Sequence, residues 1–217
     1  MSTHNSLAII PVRSLKSGKV RLAEAVTPEI RRELTKRMLA ITLSACRASD
    51  VIDLLLVISP DVDVLAFAHS LDSEAIGVQQ HADNPGLIPA LEQARAVSLA
   101  NRFETTIVLF ADLPLLIGED VAALASTGGQ VVLAPDQNQV GTNGLLLRKG
   151  NIDTSLFRFQ FGTDSFPAHL NEARRLGIEP AVVQPPGLGF DLDTPEDLST
   201  LITIDRATDQ RLQSVGL

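Results

Sequence analysis

The sequence has one cysteine (Cys46), no tryptophan and no tyrosine. A lone thiol excludes a disulfide framework and a cysteine-ligated zinc site. Aromatic residues amount to 4%, too few for the stacking platforms that bind single-stranded nucleic acid. Positive charge is also scarce, with 18 Lys and Arg against 26 Asp and Glu, a net charge of -8 and a pI near 4.9. Such a surface repels a polyanion. No apolar run reaches the roughly 18 residues that a membrane span needs. The stretch from Met1 to Asn5 has no basic flank, and Leu7–Val12 is too short for a signal peptide. The expectation is a soluble cytoplasmic protein that binds neither nucleic acid nor membrane.

What is present suits a folded domain: of 217 residues, 45% are hydrophobic and 20% charged. Short, fully apolar runs at Leu7–Val12, Leu54–Ile58, Ile107–Phe110 and Val131–Ala134 read as buried parallel strands. Helical spacing lies between and after them. Thr27-Pro28-Glu29 opens a helix, with a cap, a proline at the first helical position and an early acid, and Ile30, Leu34, Met38, Ile41 and Ala45 form its apolar stripe. Further helices are expected near Asp61–Leu71, Leu87–Ala100, Glu119–Ala125, Ser165–Leu176 and Pro195–Ile202. This alternation predicts an α/β fold, a mostly parallel central sheet flanked by helices. Beyond residue 135 the rhythm loosens, and Gly141–Arg148, Ile178–Val183 and Gly189–Leu192 read as strands, one of them a candidate for antiparallel pairing. With no repeat or linker, residues 1–204 form one domain, and 205–217 a tail, a frayed terminal helix.

In an open parallel sheet, ligands bind beyond the carboxyl ends of the strands, so the residues after each strand carry the chemistry. After the first strand comes a loop with Arg13, Lys16, Lys19 and Arg21. Eight of the eighteen basic residues lie between Arg13 and Arg37, which suits a small anionic ligand, although Arg31–Arg37 also reads as a solvated helix face. Loop amides and cations at a strand end can cradle a triphosphate. The loop is neither a Walker A sequence nor a dinucleotide fingerprint. After Ile107–Phe110 stands Asp112, with a proline two residues on, and near the C-terminus stand Asp191 and Asp193. Three carboxylates from two strand ends can hold Mg²⁺, while Asp193 or Thr194 before Pro195 also reads as an ordinary helix entry. Gly141-Thr142-Asn143-Gly144 and Phe161-Gly162-Thr163-Asp164-Ser165 allow backbone amides to approach an anion, and turns use the same residues. His4, His69, His81 and His169 show no ligand spacing and read as surface or core residues; Cys46 reads as packing.

Taken together, Pro11-Val12…Lys19-x-Arg21-Leu22-Ala23, Ala111-Asp112-Leu113-Pro114-Leu115, Gly141-Thr142-Asn143, Phe161-Gly162-x-x-Ser165-Phe166-x-x-His169 and Asp191-Leu192-Asp193-Thr194-Pro195-Glu196-Asp197-Leu198 recur in order over nearly the whole chain. They resemble the guanylyltransferases of coenzyme F420 biosynthesis (the CofC/FbiD family). The resemblance implies a nucleotide-diphospho-sugar-transferase-like, Rossmann-like fold. It also implies a reaction in which a phosphorylated three-carbon acid attacks the α-phosphorus of GTP, releasing pyrophosphate. Phosphoenolpyruvate is the expected acid; 2-phospho-L-lactate and 3-phospho-D-glycerate are the alternatives. By the same resemblance, Lys19 and Asp112 act in catalysis, and Arg13, Lys16, Lys19, Arg21, Asn84 and Gly86 bind GTP. Thr142, Gly162 and Ser165 bind the acid, and Asp112, Asp191 and Asp193 hold Mg²⁺. Arg13 stands where the family often has lysine, and Ile88 where asparagine is common. A homodimer is the candidate assembly. A sugar- or molybdopterin-type nucleotidyltransferase, and a non-catalytic nucleotide-binding protein, are the competing readings.

Overall fold

A computed structural model describes residues 5–15 and 18–208, with the side chains of the last helix described to residue 204. Lys16 lies outside the described residues, as does the tail beyond 208.

The strands form where the apolar runs predict them: β1 (Ser6–Pro11), β2 (Leu54–Ser59), β4 (Thr105–Leu109) and β5 (Val131–Pro135). Two further strands, β6 (Thr142–Arg148) and β7 (Ala181–Val182), follow. A short edge strand, β3 (Ile76–Gln79), carries no apolar run and was not expected. The sheet order is β3-β2-β1-β4-β6-β5-β7. Every neighbouring pair is parallel except β4–β6 and β5–β6, so β6 is the antiparallel strand.

Alternation along the strands divides the core into two layers, because successive side chains face opposite sides of the sheet. Ala8 and Ile10 of β1 face α1 (Pro28–Ala48), α2 (Val62–Leu71) and α4 (Gly118–Ser126). Leu7 and Ile9 face α3 (Leu87–Ala100) and α5 (Ser165–Arg175), with Phe157 and Phe159 filling the space between. Cys46 is fully buried in the first layer, as its packing role requires. Among the described residues no helix is long and apolar enough to cross a membrane.

A third, smaller core lies at the carboxyl edge of the sheet. Leu22, Leu34, Met38, Phe190, Leu192, Leu198 and Leu201 pack there, joining the loop after β1, helix α1 and helix α7 (Pro195–Thr208). Gly189–Leu192 is therefore not a strand. Pro186–Gly189 forms a single helical turn, α6, and the segment from Phe190 to Asp193 runs extended without a ladder. Its Phe190 and Leu192 alternate as a strand would, but they bury their side chains against helices. The expected strand Ile178–Val183 shrinks to two residues for the same lack of a continuous partner.

Candidate active site

Four segments meet at the carboxyl edge of the parallel strands. The first is the loop after β1. Its backbone is held by Asp61, whose Oδ2 accepts from the Ser14 hydroxyl at 2.7 Å and from the Leu15 N–H at 3.0 Å. The same carboxylate caps α2 through the Asp63 N–H. Lys19 follows in the left-handed region at φ 54°, a conformation that costs a non-glycine residue about 1 kcal/mol or more. That turn sends the lysine side chain inward, and Leu22 anchors the next turn in the third core.

The second and third segments carry carboxylates. Lys19 Nζ lies 3.0 Å from Asp112 Oδ2 and 2.9 Å from Asp193 Oδ1, with only 9% of the lysine side chain exposed. Burial alone would lower the Lys19 pKa, but the two carboxylates outweigh it and hold it above the ordinary lysine value. Among the described residues Asp191 has no such cationic partner. Its burial, reinforced by the charges of Asp112 and Asp193, pushes its pKa up to about 6. Asn143 Nδ2 approaches Asp191 Oδ1 at 3.5 Å while donating to the Leu188 carbonyl at 2.9 Å. Arg21 NH1 stands 3.7 Å from Asp193 Oδ2 on the open side.

Close packing fixes the Asp191 segment from behind. Gly187 lies against the buried Asp120, which accepts from the Gly187 N–H and from the Ile117 N–H at the start of α4. A Cβ at position 187 would collide with Asp120 Oδ2 and come within 2.7 Å of the Leu115 carbonyl oxygen, so only glycine fits. Asp197 closes the other end, accepting from the N–H groups of Asp193 and Thr194.

The fourth segment is the start of β6 with the N-terminus of α5. Ser165 Oγ accepts from the Thr142 N–H at 3.0 Å. Thr142 Oγ1 lies 2.9 Å from His169 Nδ1, whose Nε2 accepts from the Gln160 N–H at 2.9 Å. Adjacent residues on one strand thus serve two clusters: Thr142 joins the hydroxyl pair and Asn143 reaches the carboxylates.

Comparison with known proteins places this arrangement. Residues 6–217 match the family described as guanylyl transferase CofC like. A phosphoenolpyruvate guanylyltransferase of Rubrobacter xylanophilus is 39% identical over 197 residues, covering 89% of this chain and 92% of that protein. A 2-phospho-L-lactate guanylyltransferase of Methanothermobacter thermautotrophicus is 37% identical over 206 residues, covering 94% and 87%. The chain belongs to the CofC-like guanylyl transferase family. Solved structures share its fold at low identity. A 4-diphosphocytidyl-2C-methyl-D-erythritol synthase superimposes with a TM-score of 0.61 at 13% identity, over 92% of this chain and 98% of that one. A nucleotidyl transferase of Methanothermobacter thermautotrophicus gives 0.60 at 14%, over 94% and 98%.

In this guanylyl transferase, Lys19, Asp112, Asp191 and Asp193 come together, and so do Thr142 and Ser165. Among the described residues no three acidic, histidine or cysteine side chains stand at metal-holding spacing, and the Lys19 ammonium lies between Asp112 and Asp193. The donor chemistry nevertheless fits Mg²⁺: Asp112, Asp191 and Asp193 gather at one site, and burial together with the charges of the other two raises the pKa of Asp191. Arg13 is exposed after β1, and Asn84, Gly86 and Gly162 are exposed in loops. Gln80 braces the Asn84–Gly86 turn by donating to both carbonyls. Ile88 packs against the second core layer.

The sequence assigned no site role to Asp61, Asn143 or His169, although Asn143 and His169 stand within the recurring motifs. His169 was legible in part, since it lies four residues after Ser165 and shares its helical face. It reads as a surface or core residue, and it is a core one, buried and hydrogen-bonded to Thr142.

Proposed function

We propose that this chain transfers GMP from GTP to phosphoenolpyruvate, giving enolpyruvyl-diphospho-guanosine and pyrophosphate, as a cytoplasmic step of coenzyme F420 biosynthesis. The observation that carries the reading is the pairing of a carboxylate–lysine cluster with a hydroxyl pair through neighbouring residues Asn143 and Thr142. One half suits the triphosphate and the other a small acid.

Asp112, Asp191 and Asp193 would hold Mg²⁺, which when bound neutralises charge on the phosphoryl oxygens and the departing pyrophosphate. Lys19 then turns its ammonium from the carboxylates to the GTP phosphates, where it stabilises developing charge. Arg13, Lys16 and Arg21 raise the local potential around the triphosphate in a protein of net charge -8. The backbone at Asn84 and Gly86, braced by Gln80, lies against the base. Thr142 and Ser165 hold the acid's carboxylate, with the Gly162 amide as a further donor to it. Orientation does the rest: a phosphate oxygen of the acid attacks the α-phosphorus, the bond to the β-phosphate oxygen breaks, and pyrophosphate leaves. The acid's phosphate is already a nucleophile, so no side chain need take a proton and no covalent enzyme intermediate is required.

Phosphoenolpyruvate is preferred because a relative of that name shares 39% of its residues over 92% of its length. The relative named for 2-phospho-L-lactate, at 37%, supports the second reading. Incubation with GTP, Mg²⁺ and each acid separately tests the choice. Pyrophosphate and guanylated product should form with phosphoenolpyruvate, and formation only with 2-phospho-L-lactate or 3-phospho-D-glycerate would overturn the acceptor.

A further inference from the structure

His169 is buried between Phe157 and Phe161, with ring centroids 5.7 and 4.6 Å away. Its two ring nitrogens have different partners, and one partner settles the tautomer. The Gln160 backbone N–H can only donate, so Nε2, 2.9 Å away, must be the unprotonated acceptor. In a neutral ring the hydrogen then sits on Nδ1. The ring stays neutral near pH 7, since burial lowers its pKa to about 4 against the opposing charge of Glu172. That carboxylate is itself engaged by Arg175 and by the Arg158 N–H.

It follows that Nδ1–H donates to Thr142 Oγ1 at 2.9 Å. Thr142 accepts there, so its own hydroxyl hydrogen is free to be given elsewhere, and no acceptor for it occurs among the described residues. Ser165 is arranged alike: its Oγ accepts from the Thr142 N–H, leaving its hydrogen to donate. Two neighbouring hydroxyls with an acceptor lone pair occupied present two donors, which match an acceptor-only group such as a carboxylate. Had the ring carried its hydrogen on Nε2, the Gln160 N–H would have faced another donor and Thr142 would have been drawn to donate to Nδ1.

We infer that His169 is a positioning residue for acid recognition, fixing the Thr142 hydroxyl as a hydrogen-bond donor to the substrate carboxylate. The inference rests on the reading that Thr142 and Ser165 hold the acid. His169 does not touch the substrate; its effect passes through Thr142.

The test compares Thr142→Val, His169→Phe and His169→Asn by steady-state kinetics with GTP and phosphoenolpyruvate, alongside ¹⁵N-histidine NMR of the unmodified protein. Thr142→Val and His169→Phe should each raise the acid KM by roughly tenfold or more, the loss of one hydrogen bond to a charged group, while the GTP KM stays within about twofold of the unmodified enzyme. His169→Asn, whose amide can donate from near the Nδ1 position, should recover most of the acid KM. The double variant Thr142→Val/His169→Phe should be no worse than Thr142→Val alone. The NMR spectrum should show the Nδ1–H tautomer for the resonance that vanishes in His169→Asn, an outcome independent of catalysis and of whether His169→Phe folds. A raised acid KM in Thr142→Val with no change in either His169 variant would overturn the inference and leave the acid site standing. An unchanged acid KM in Thr142→Val would remove the acid site itself, and with it the inference. An Nε2–H tautomer would also overturn it.

Discussion

The Leu192 backbone N–H donates to the Asp112 carbonyl at 3.0 Å, tying the segment after β4 to the segment before α7. Leu192 is fully buried in the third core, and it sits between Asp191 and Asp193. One residue therefore sets the spacing of all three carboxylates, with its backbone bonded to one and its neighbours carrying the other two. The loop of Lys19 enters the same core through Leu22. The charged groups of the site are placed by an apolar cluster beneath them.

Substituting Lys19 by methionine should separate its two roles. Lys19 is buried but Asp112 and Asp193 are 27% and 40% exposed, so removing the ammonium leaves two partly solvated carboxylates that repel each other, at a cost of about 1–3 kcal/mol. The variant should melt at a lower temperature without metal, recover part of the loss with Mg²⁺, and lose at least about a hundredfold in kcat. Thermal unfolding with and without Mg²⁺, beside steady-state rates, measures both. An unchanged melting temperature and rate would make the lysine a bystander.

Asp191 should behave in the opposite sense. Its pKa in the folded protein, about 6, lies above the usual carboxylate value because of burial and then of Asp112 and Asp193. The folded state therefore binds the proton more tightly than the unfolded state. Its contribution to stability is most favourable below about pH 4 and is lost as pH rises through 6. Asp191→Asn should accordingly raise the metal-free melting temperature at pH 8, leave it little changed at pH 4, and abolish turnover. Melting curves at the two pH values test it; a destabilised variant at pH 8 would contradict an unfavourable buried charge on Asp191.

His169 gives the reverse pH dependence. Its pKa is depressed to about 4 from the ordinary 6.5, so its contribution is fully present above pH 6.5 and lost as pH falls through 4. A shift of that size is worth roughly 3 kcal/mol. Denaturant unfolding between pH 7 and pH 4 should show this loss in the unmodified protein and a shallower one in His169→Asn. Equal slopes would refute the assignment.

Gly187→Ala tests the support behind Asp191. The added methyl must displace Asp120 or the Leu115 carbonyl, and overpacking of this kind costs about 1–3 kcal/mol. The expected result is a lower unfolding midpoint together with weaker Mg²⁺ binding by calorimetry, since the backbone that carries Asp191 must move. Wild-type Mg²⁺ affinity would show that the close packing does not position the carboxylate.

The central strands were legible because β1, β2, β4 and β5 are buried on both faces and so read as unbroken apolar runs. The edge strand Ile76–Gln79 was not, since it is mostly exposed and exists through its pairing with Leu56–Ser59. Phe190 and Leu192 misled in the other direction: alternation shows which side chains are buried, not whether a ladder partner is present. Asp112, Asp191 and Asp193 could be grouped from their places after predicted elements. That Lys19 would lie between two of them depends on a left-handed backbone at a non-glycine residue, which no local pattern announces. Asn143 and His169 meet Asp191 and Thr142 across 48 and 27 residues, contacts that only the folded sheet creates.

The most direct measurement follows two labels through one reaction. The purified protein is incubated with Mg²⁺, phosphoenolpyruvate and GTP labelled at either the α- or the γ-phosphorus. The α label should appear in the guanylated acid and the γ label in pyrophosphate, in equal amounts, and neither product should form with Asp112→Asn. Release of the γ label as inorganic phosphate, or its transfer to the acid, would contradict it.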